Sequence, residues 1–250
     1  MSLKQFTELL FESRGYMLMK KLLNYFNKFE WCLLLGSLAT ILITHFAFGS
    51  QEYLKLIASL IGTTALIFNA KGNLIGQVLI IIFGCLYGYI SYTFKYYGEI
   101  ITYLGMSVPM AIFALISWCR HPYKGKKTEV EVGHLTLRDY IIAGILTALI
   151  TTAFYFILKA LGTANLIPST ISVATSFLAS YFSFKRSPCY ALGYVANDIV
   201  LIILWMLATC KDISYLSVVI CFAVFLLNDL YGFFNWTFRY HRQNADKVSV

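Results

Sequence analysis

Apolar segments about twenty residues long follow one another along most of this chain, separated by short polar stretches. A bilayer core about 30 Å thick takes roughly 20 helical residues to cross. The pattern therefore predicts an all-α transmembrane protein with eight spans. The predicted spans are residues 31–48, 52–70, 73–94, 99–118, 140–161, 165–184, 188–209 and 213–236.

The two ends of the chain differ from this pattern. In residues 1–30, apolar side chains such as Leu18 and Leu22 share one helical face, and lysines such as Lys20 and Lys21 share the other. This arrangement predicts a helix lying in the membrane interface, and a frayed amphipathic tail is the alternative. Residues 241–250 are interpreted as a cytoplasmic tail, which leaves 31–240 as the transmembrane domain.

Composition and charge strengthen the membrane interpretation. Hydrophobic residues make up 59% of the 250 residues and charged residues only 13%, which is too little charge for the surface of a soluble domain. The net charge of +8 could indicate nucleic acid binding. The basic residues, however, lie in short loops and tails rather than on one exposed face, so we expect the bilayer as the partner and no nucleic acid.

The distribution of Lys and Arg predicts the orientation. If the span count holds, the segments before residue 31, around 71, at 119–138, at 185–187 and after 236 share one side. They carry 16 of the 20 basic residues. Basic residues concentrate on the cytoplasmic side of membrane proteins. Both termini are therefore predicted to be cytoplasmic.

The spacing of the spans predicts a repeat. Three spans (52–118) precede the longest polar loop, one linker span (140–161) follows it, and three more (165–236) complete the chain. This 3+1+3 order gives the two triplets the same orientation, and the span at 31–48 is an extra N-terminal helix. Parallel repeats of this kind hold a binding site near the midplane, between the halves.

The seventh span carries a stripe of aromatic and amide side chains. Tyr190, Tyr194, Asn197 and Trp205 fall on one face at helical spacing. Aromatic rings can stack on a planar ligand and the amide can bond its edge, which suits a small ring-containing substrate. Packing is the alternative, because an Asn in a membrane helix also bonds neighbouring helices.

The eighth span repeats the theme. Asn228 and Asp229 echo Asn197 and Asp198, and Trp236 follows on the same face. Polar groups at bilayer depth cost free energy, so they usually face the bundle interior or a cavity. In the third span Gln77 and Tyr87 are weaker candidates. The predicted substrate-binding residues are thus Asn197, Tyr190, Tyr194, Trp205, Asn228, Asp229, Asp198, Trp236, Gln77 and Tyr87.

Several functional classes find no support in the sequence. There is no phosphate-binding glycine loop with Lys-Ser/Thr, no metal-ligand spacing among His and acidic residues, and no paired-cysteine pattern. We therefore expect no cofactor, no metal and no enzymatic activity. A membrane-embedded enzyme using Asp198 and Asp229 for acid–base chemistry stays an alternative, and a channel is a third class.

The layout from about residue 31 to 240 resembles the PnuC family of bacterial vitamin transporters. The segment from Lys185 to Leu201 looks like that family's signature helix, which carries the pattern Trp-x-x-Trp-x-x-x-Asn. The matching positions here are Tyr190, Gly193 and Asn197. The Asn is kept, the first Trp is another aromatic residue, and the second is Gly with Tyr194 beside it.

The resemblance implies a function and an assembly. It implies a homotrimer in the bacterial inner membrane, with a fold like an enlarged SWEET sugar transporter. It further implies facilitated diffusion of nicotinamide riboside, made one-way when a cytoplasmic kinase phosphorylates the vitamin; thiamine or a deoxynucleoside is the alternative substrate. Nicotinamide riboside is a pyridinium cation, so a cavity-facing Asp198 or Asp229 would favour it over a neutral nucleoside.

Overall fold

The computed structural model describes residues 24–48, 53–93, 97–163, 165–210 and 212–248. Most of the predicted interfacial segment, residues 1–23, lies outside the described residues. The chain forms two compact units, one up to Gly36 and one from Ser37 to Val250.

Eight helices in the described part of the chain are long and apolar enough to cross a membrane. The prediction of eight spans is therefore confirmed, with boundaries that move by a few residues except at the last helix. The helices are α1 Lys28–Ala47, α2 Tyr53–Ala70, α3 Leu74–Thr93, α4 Tyr97–Arg120, α5 Leu137–Ala160, α6 Leu166–Phe184, α7 Cys189–Thr209 and α8 Leu216–Val248.

Local sequence signals set several helix ends. Asn27 and Glu30 exchange side-chain to backbone hydrogen bonds of 2.8 Å at the start of α1, and Thr136 and Asp139 form a capping box at the start of α5. Such boxes satisfy amide groups that lack partners in the first turn. Gly72 and Gly162 have φ values of 62° and 67° after α2 and α5, the left-handed conformation that ends helices.

Helix α4 contains a widened segment. Residues Ile101–Ser107 form a π-helix between the α-helical segments Tyr97–Ile100 and Val108–Arg120. Pro109 lies just after it and has no N–H to donate to the preceding turn. The missing hydrogen bond is a physical reason for the local change in winding. The apolar pattern of the fourth span does not predict this π-helix.

In the second unit the helices pack as two groups of three, and the two groups contact each other at two places. Within the first half α3 packs between α2 and α4, and within the second half α7 packs between α6 and α8. The two halves meet where α2 packs on α8 and where α4 packs on α6. Helix α5 packs mainly on α6, and apolar residues such as Ile145, Leu149 and Phe156 on its other face are exposed.

The predicted polar loop at 120–138 contains a β-hairpin that the sequence analysis missed. Strands β1 Pro122–Tyr123 and β2 Lys126–Val130 pair antiparallel. Lys124 and Gly125 form its two-residue turn with φ values of 48° and 74°, as a type I′ turn requires. The hairpin adds a small β element to a fold that the spans predicted to be all α-helical.

Hydrogen bonds join this hairpin region to the neighbouring connections. Val130 N donates to Gly72 O (3.0 Å), and Gly133 N donates to Arg186 O (2.9 Å). Gln243 of α8 accepts from Val132 N (2.8 Å). The segments near residues 71, 119–138 and 185–187 and the end of α8 therefore share one side, as the span order predicts.

Helix α8 continues twelve residues past the predicted end of the last span, because its polar extension packs on the hairpin. Glu129 forms ion pairs with Arg239, at 2.7 Å, and with Arg242. Gln243 Nε2 donates to Glu129 Oε1 (3.3 Å) and to Val130 O (3.2 Å). We call the contacts between residues 122–132 and 239–247 the hairpin clasp.

We expect Glu129→Gln to loosen the hairpin clasp, since two arginine side chains would lose their carboxylate. A partly buried pair of this kind is worth on the order of 1–2 kcal/mol, so the melting temperature in detergent should fall by a few degrees. Glu131→Gln is the matched control, because the Glu131–Lys247 pair is more exposed. Equal melting temperatures for the two variants would contradict a stabilising role for Glu129.

Candidate functional site

Asn197 of α7 is oriented by hydroxyl groups of α6. Its Oδ1 atom accepts from Ser172 Oγ and from Thr175 Oγ1, both at 3.0 Å. The Thr175 hydroxyl also lies 3.0 Å from Ile171 O and 3.1 Å from Ser172 O, whereas the Ser172 hydroxyl has no second acceptor in the described part of the chain. Among the described residues Asn197 Nδ2 has no hydrogen-bond partner. The side chain therefore holds an N–H donor in a fixed orientation, which a carbonyl oxygen could accept from.

An aromatic group lies on the side of Asn197 toward the hairpin clasp. Tyr190 and Trp236 are 1% and 0% exposed, with ring centroids 5.0 Å apart at an angle of 74°. The Trp236 indole N–H donates to Asn69 O (2.7 Å). Tyr194 is partly exposed, lies 6.1 Å from Tyr190 between centroids, and pairs its hydroxyl with Ser180 Oγ at 3.1 Å. Of the three rings, Tyr194 is the one positioned to meet a ligand next to Asn197.

Gly193 lies where the family pattern has its second Trp. A Cβ atom at this position would come within 2.7 Å of Ala179 Cα and 3.0 Å of Ala179 N. Helices α6 and α7 therefore touch backbone to backbone here, as small residues permit in membrane helices. No aromatic side chain fits at residue 193 in this packing, which leaves Tyr194 as the nearest ring.

Two carboxyl groups meet between α7 and α8. Asp198 and Asp229 are each 4% exposed, and their side chains hydrogen-bond to each other. No donor outside the pair reaches Asp198 Oδ2 among the residues that the structure describes. Among the described residues no Lys or Arg forms an ion pair with either carboxyl group. Within the part of the chain that the structure describes, the buried acids thus have no counter-charge.

Asn228 lies beside this pair in the sequence of α8. Its Nδ2 atom donates to Ser37 Oγ (3.0 Å) and to Val224 O (2.9 Å). Its Oδ1 atom is buried without a partner. A buried acceptor without a hydrogen bond costs free energy, so this oxygen is available to a ligand donor or a water molecule.

Gln77, Tyr87 and Trp205 have other partners than Asn197 among the described residues, and Gln77 shares Asn69 with Trp236. Gln77 Nε2 bridges Asn69 Oδ1 and Ser183 Oγ, both at 3.2 Å, which ties α3 to α2 and α6. The Tyr87 ring packs 5.1 Å from Tyr103, and the Trp205 ring packs 5.5 Å from Tyr215. Trp205 is 15 residues, or about 22 Å of helix, from Tyr190. One small ring could not contact both.

Hydroxyl groups of α6 that were not among the predicted site residues contact several of them. The hydroxyl groups of Ser172, Thr175, Ser180 and Ser183 contact Asn197, Tyr194 or Gln77. Their spacing of three to five residues follows one face of the sixth span. That periodicity was the available signal, because polar residues on one face of an apolar span indicate a face turned away from lipid.

Comparisons with known proteins identify relatives of this chain. A sequence model of the family described as "Nicotinamide mononucleotide transporter" matches residues 52–238. The chain is 29% identical over 197 residues to the nicotinamide riboside transporter PnuC of Neisseria mucosa, covering 77% of this chain and 74% of that protein. It is 22% identical over 195 residues to the nicotinamide riboside transporter PnuC of Haemophilus influenzae, covering 78% and 83%.

A solved structure has the same fold. The crystal structure of the vitamin B3 transporter PnuC matches with a TM-score of 0.74 and 26% identity, over 87% of this chain and 94% of that chain. Eight apolar helices and transporter relatives define a multi-pass membrane protein of the transporter class. The chain belongs to the nicotinamide mononucleotide transporter family, since that family's model matches well over half of it. The resemblance to PnuC is thereby confirmed.

Proposed function

We propose that this protein carries nicotinamide riboside across the bacterial inner membrane. The observation that carries the proposal is Asn197, whose Oδ1 is held by Ser172 and Thr175 while its Nδ2 has no partner among the described residues. Nicotinamide has a ring carboxamide whose carbonyl oxygen can accept from that N–H group. The names of the relatives from Neisseria mucosa and Haemophilus influenzae support the same substrate.

The surroundings of Asn197 suit the rest of the ligand. Tyr194 is one helical turn away and offers an aromatic face for the pyridinium ring. Asp198 and Asp229 can lose a proton to supply negative charge, and no described Lys or Arg forms an ion pair with them. A cationic ring is attracted both to an aromatic face and to a carboxylate in a site of low dielectric constant. In this proposal Tyr190 packs against Tyr194, and Trp236 packs against Tyr190.

The proposed transport is facilitated diffusion. The sequence has no ATP-binding loop, so the substrate would move down its own gradient, and a cytoplasmic kinase that phosphorylates it would supply the direction.

We also propose cytoplasmic termini, on the basis of the basic residues near the hairpin clasp.

The proposed architecture is a pair of parallel three-helix repeats. In each half the middle helix packs between the other two, and the contacts between halves join the first helix of one to the third of the other. A two-fold relation between the halves would produce this order. The exposed apolar face of α5 supports contact with lipid or with other copies in the proposed homotrimer.

Uptake into proteoliposomes tests the function. With equal pH on both sides and no ATP, labelled nicotinamide riboside should enter until the inside and outside concentrations are equal. Protein-free liposomes and Asn197→Ala vesicles should show little uptake. Unlabelled thiamine and deoxyguanosine should compete weakly. Strong competition by deoxyguanosine together with no uptake of nicotinamide riboside would make this a nucleoside transporter with the same fold.

A further inference from the structure

The buried carboxyl pair has an unusual charge environment. Asp198 and Asp229 lie on neighbouring helices, hydrogen-bond to each other and are nearly inaccessible to solvent. The ionisable groups close to them are Tyr190 and Tyr194 on α7 and Cys221 on α8, none of which is cationic. The positive charge of Arg239 interacts electrostatically with Tyr190, but the ion pair of Arg239 is with Glu129. Nothing described therefore offsets a negative charge on the pair.

Burial of charge determines how many protons such a pair holds. A buried carboxylate without a counter-charge is costly, and two adjacent carboxylates are costlier still. Without a ligand, the low-energy state is the one in which both carboxyl groups carry a proton. When a cation enters, a single negative charge becomes favourable. The remaining proton then joins the two groups in a charge-assisted hydrogen bond.

We propose that Asp198 and Asp229 exchange one proton for each organic cation that binds. The O–H bond of one carboxyl group breaks and its proton leaves to water, while the second proton stays in the hydrogen bond between the two groups. No covalent bond to the ligand forms. Asp198 Oδ2, which has no hydrogen-bond donor outside the pair among the described residues, is the atom that can face the cation. This proposal rests on the proposed function, which supplies a cationic substrate.

The exchange has a consequence that a structural pair would not show. Because a proton competes with the cation, the Kd for the cation should fall about tenfold per pH unit where one proton is released, by thermodynamic linkage. Acid pH weakens cation binding and alkaline pH strengthens it. A neutral ligand of the same shape does not compete with the proton, so its Kd should not fall as pH rises.

The test is a binding titration of the full-length protein in detergent. Nicotinamide riboside is added in weakly buffered solution with a pH indicator dye, and its Kd is measured from pH 5.5 to 8.5. The expected result is release of up to one proton per bound ligand, with a Kd that falls as pH rises. The neutral reduced form, dihydronicotinamide riboside, should release none. In Asp198→Asn/Asp229→Asn both effects should disappear, whereas Glu131→Gln, which removes a carboxylate that pairs with Lys247 in the hairpin clasp, should behave like the wild type.

The possible outcomes distinguish a failure of the proton exchange from a failure of the proposed transport function. Binding of nicotinamide riboside with no proton release and a constant Kd would overturn the exchange and leave the transport function intact. Release that persists in the double variant would also overturn it, because another group would then be the source. If nicotinamide riboside does not bind, the same titration with thiamine tests the exchange. A protein that binds neither cation but binds deoxyguanosine would overturn both proposals.

Discussion

Asn197→Ala should weaken the binding of nicotinamide riboside by roughly 5- to 150-fold. The substitution removes the N–H donor and leaves the ligand carbonyl unpaired in a desolvated site, which costs about 1–3 kcal/mol. It also removes the acceptor of the Ser172 hydroxyl. Isothermal titration with the purified protein measures the effect.

Two further substitutions separate the loss of the N–H donor from the loss of the hydroxyl groups that orient the amide. Asn197→Asp retains an oxygen for Ser172 and Thr175 but replaces the free N–H group with an oxygen, so the carbonyl contact should still be lost. Ser172→Ala leaves the donor and removes one of the groups that hold it, so its effect should be smaller. If Asn197→Ala binds with wild-type affinity while still folding, the amide is a helix-packing residue.

Gly193→Ala should destabilise the protein, even though alanine is a better helix former. The added Cβ would come within 2.7 Å of the Ala179 backbone, so α6 and α7 would have to separate. Overpacking of this kind typically costs about 1–3 kcal/mol. We expect a lower melting temperature in detergent, together with weaker ligand binding, since Ser172 and Thr175 lie on α6 and Asn197 on α7.

Gly144→Ala on α5 is the matched control, because a Cβ there meets nothing within 4 Å. It should leave both stability and binding unchanged or slightly improve stability. Gly193→Trp, which restores the family pattern, should be more damaging than Gly193→Ala. A stable Gly193→Trp variant with improved binding would show that α6 and α7 can separate to admit a second ring.

The span pattern could be predicted from sequence because the bilayer imposes it residue by residue. Any chain that crosses 30 Å of hydrocarbon needs about twenty apolar helical residues, and that requirement is visible without knowledge of packing. The same-side placement of the loops near 71, 119–138 and 185–187 follows from counting spans. The family resemblance came from the layout of the spans together with Asn197 and its spacing from the aromatic positions.

The end of α8 and the hairpin could not be predicted in this way. Residues 237–248 are polar, so hydropathy ends the span near 236. They continue the helix because Glu129 and Val130 of the hairpin provide partners for Arg239, Arg242 and Gln243. Such partners are more than a hundred residues away in the chain, and periodicity in a single segment carries no information about them.

The sequence by itself determined the class of protein and the positions of its buried polar groups, since their presence in apolar spans is a local property. It placed ten candidate residues on helices but could not show which of them contact one another. Tertiary packing decided that Asp198 pairs with Asp229 and that the α6 backbone packs directly on Gly193. It also decided that Tyr87 packs on Tyr103 and Trp205 on Tyr215. The reason is geometric: helical spacing gives the face of a residue on its own helix, whereas the partner across the interface depends on how neighbouring helices are rotated and how closely they approach.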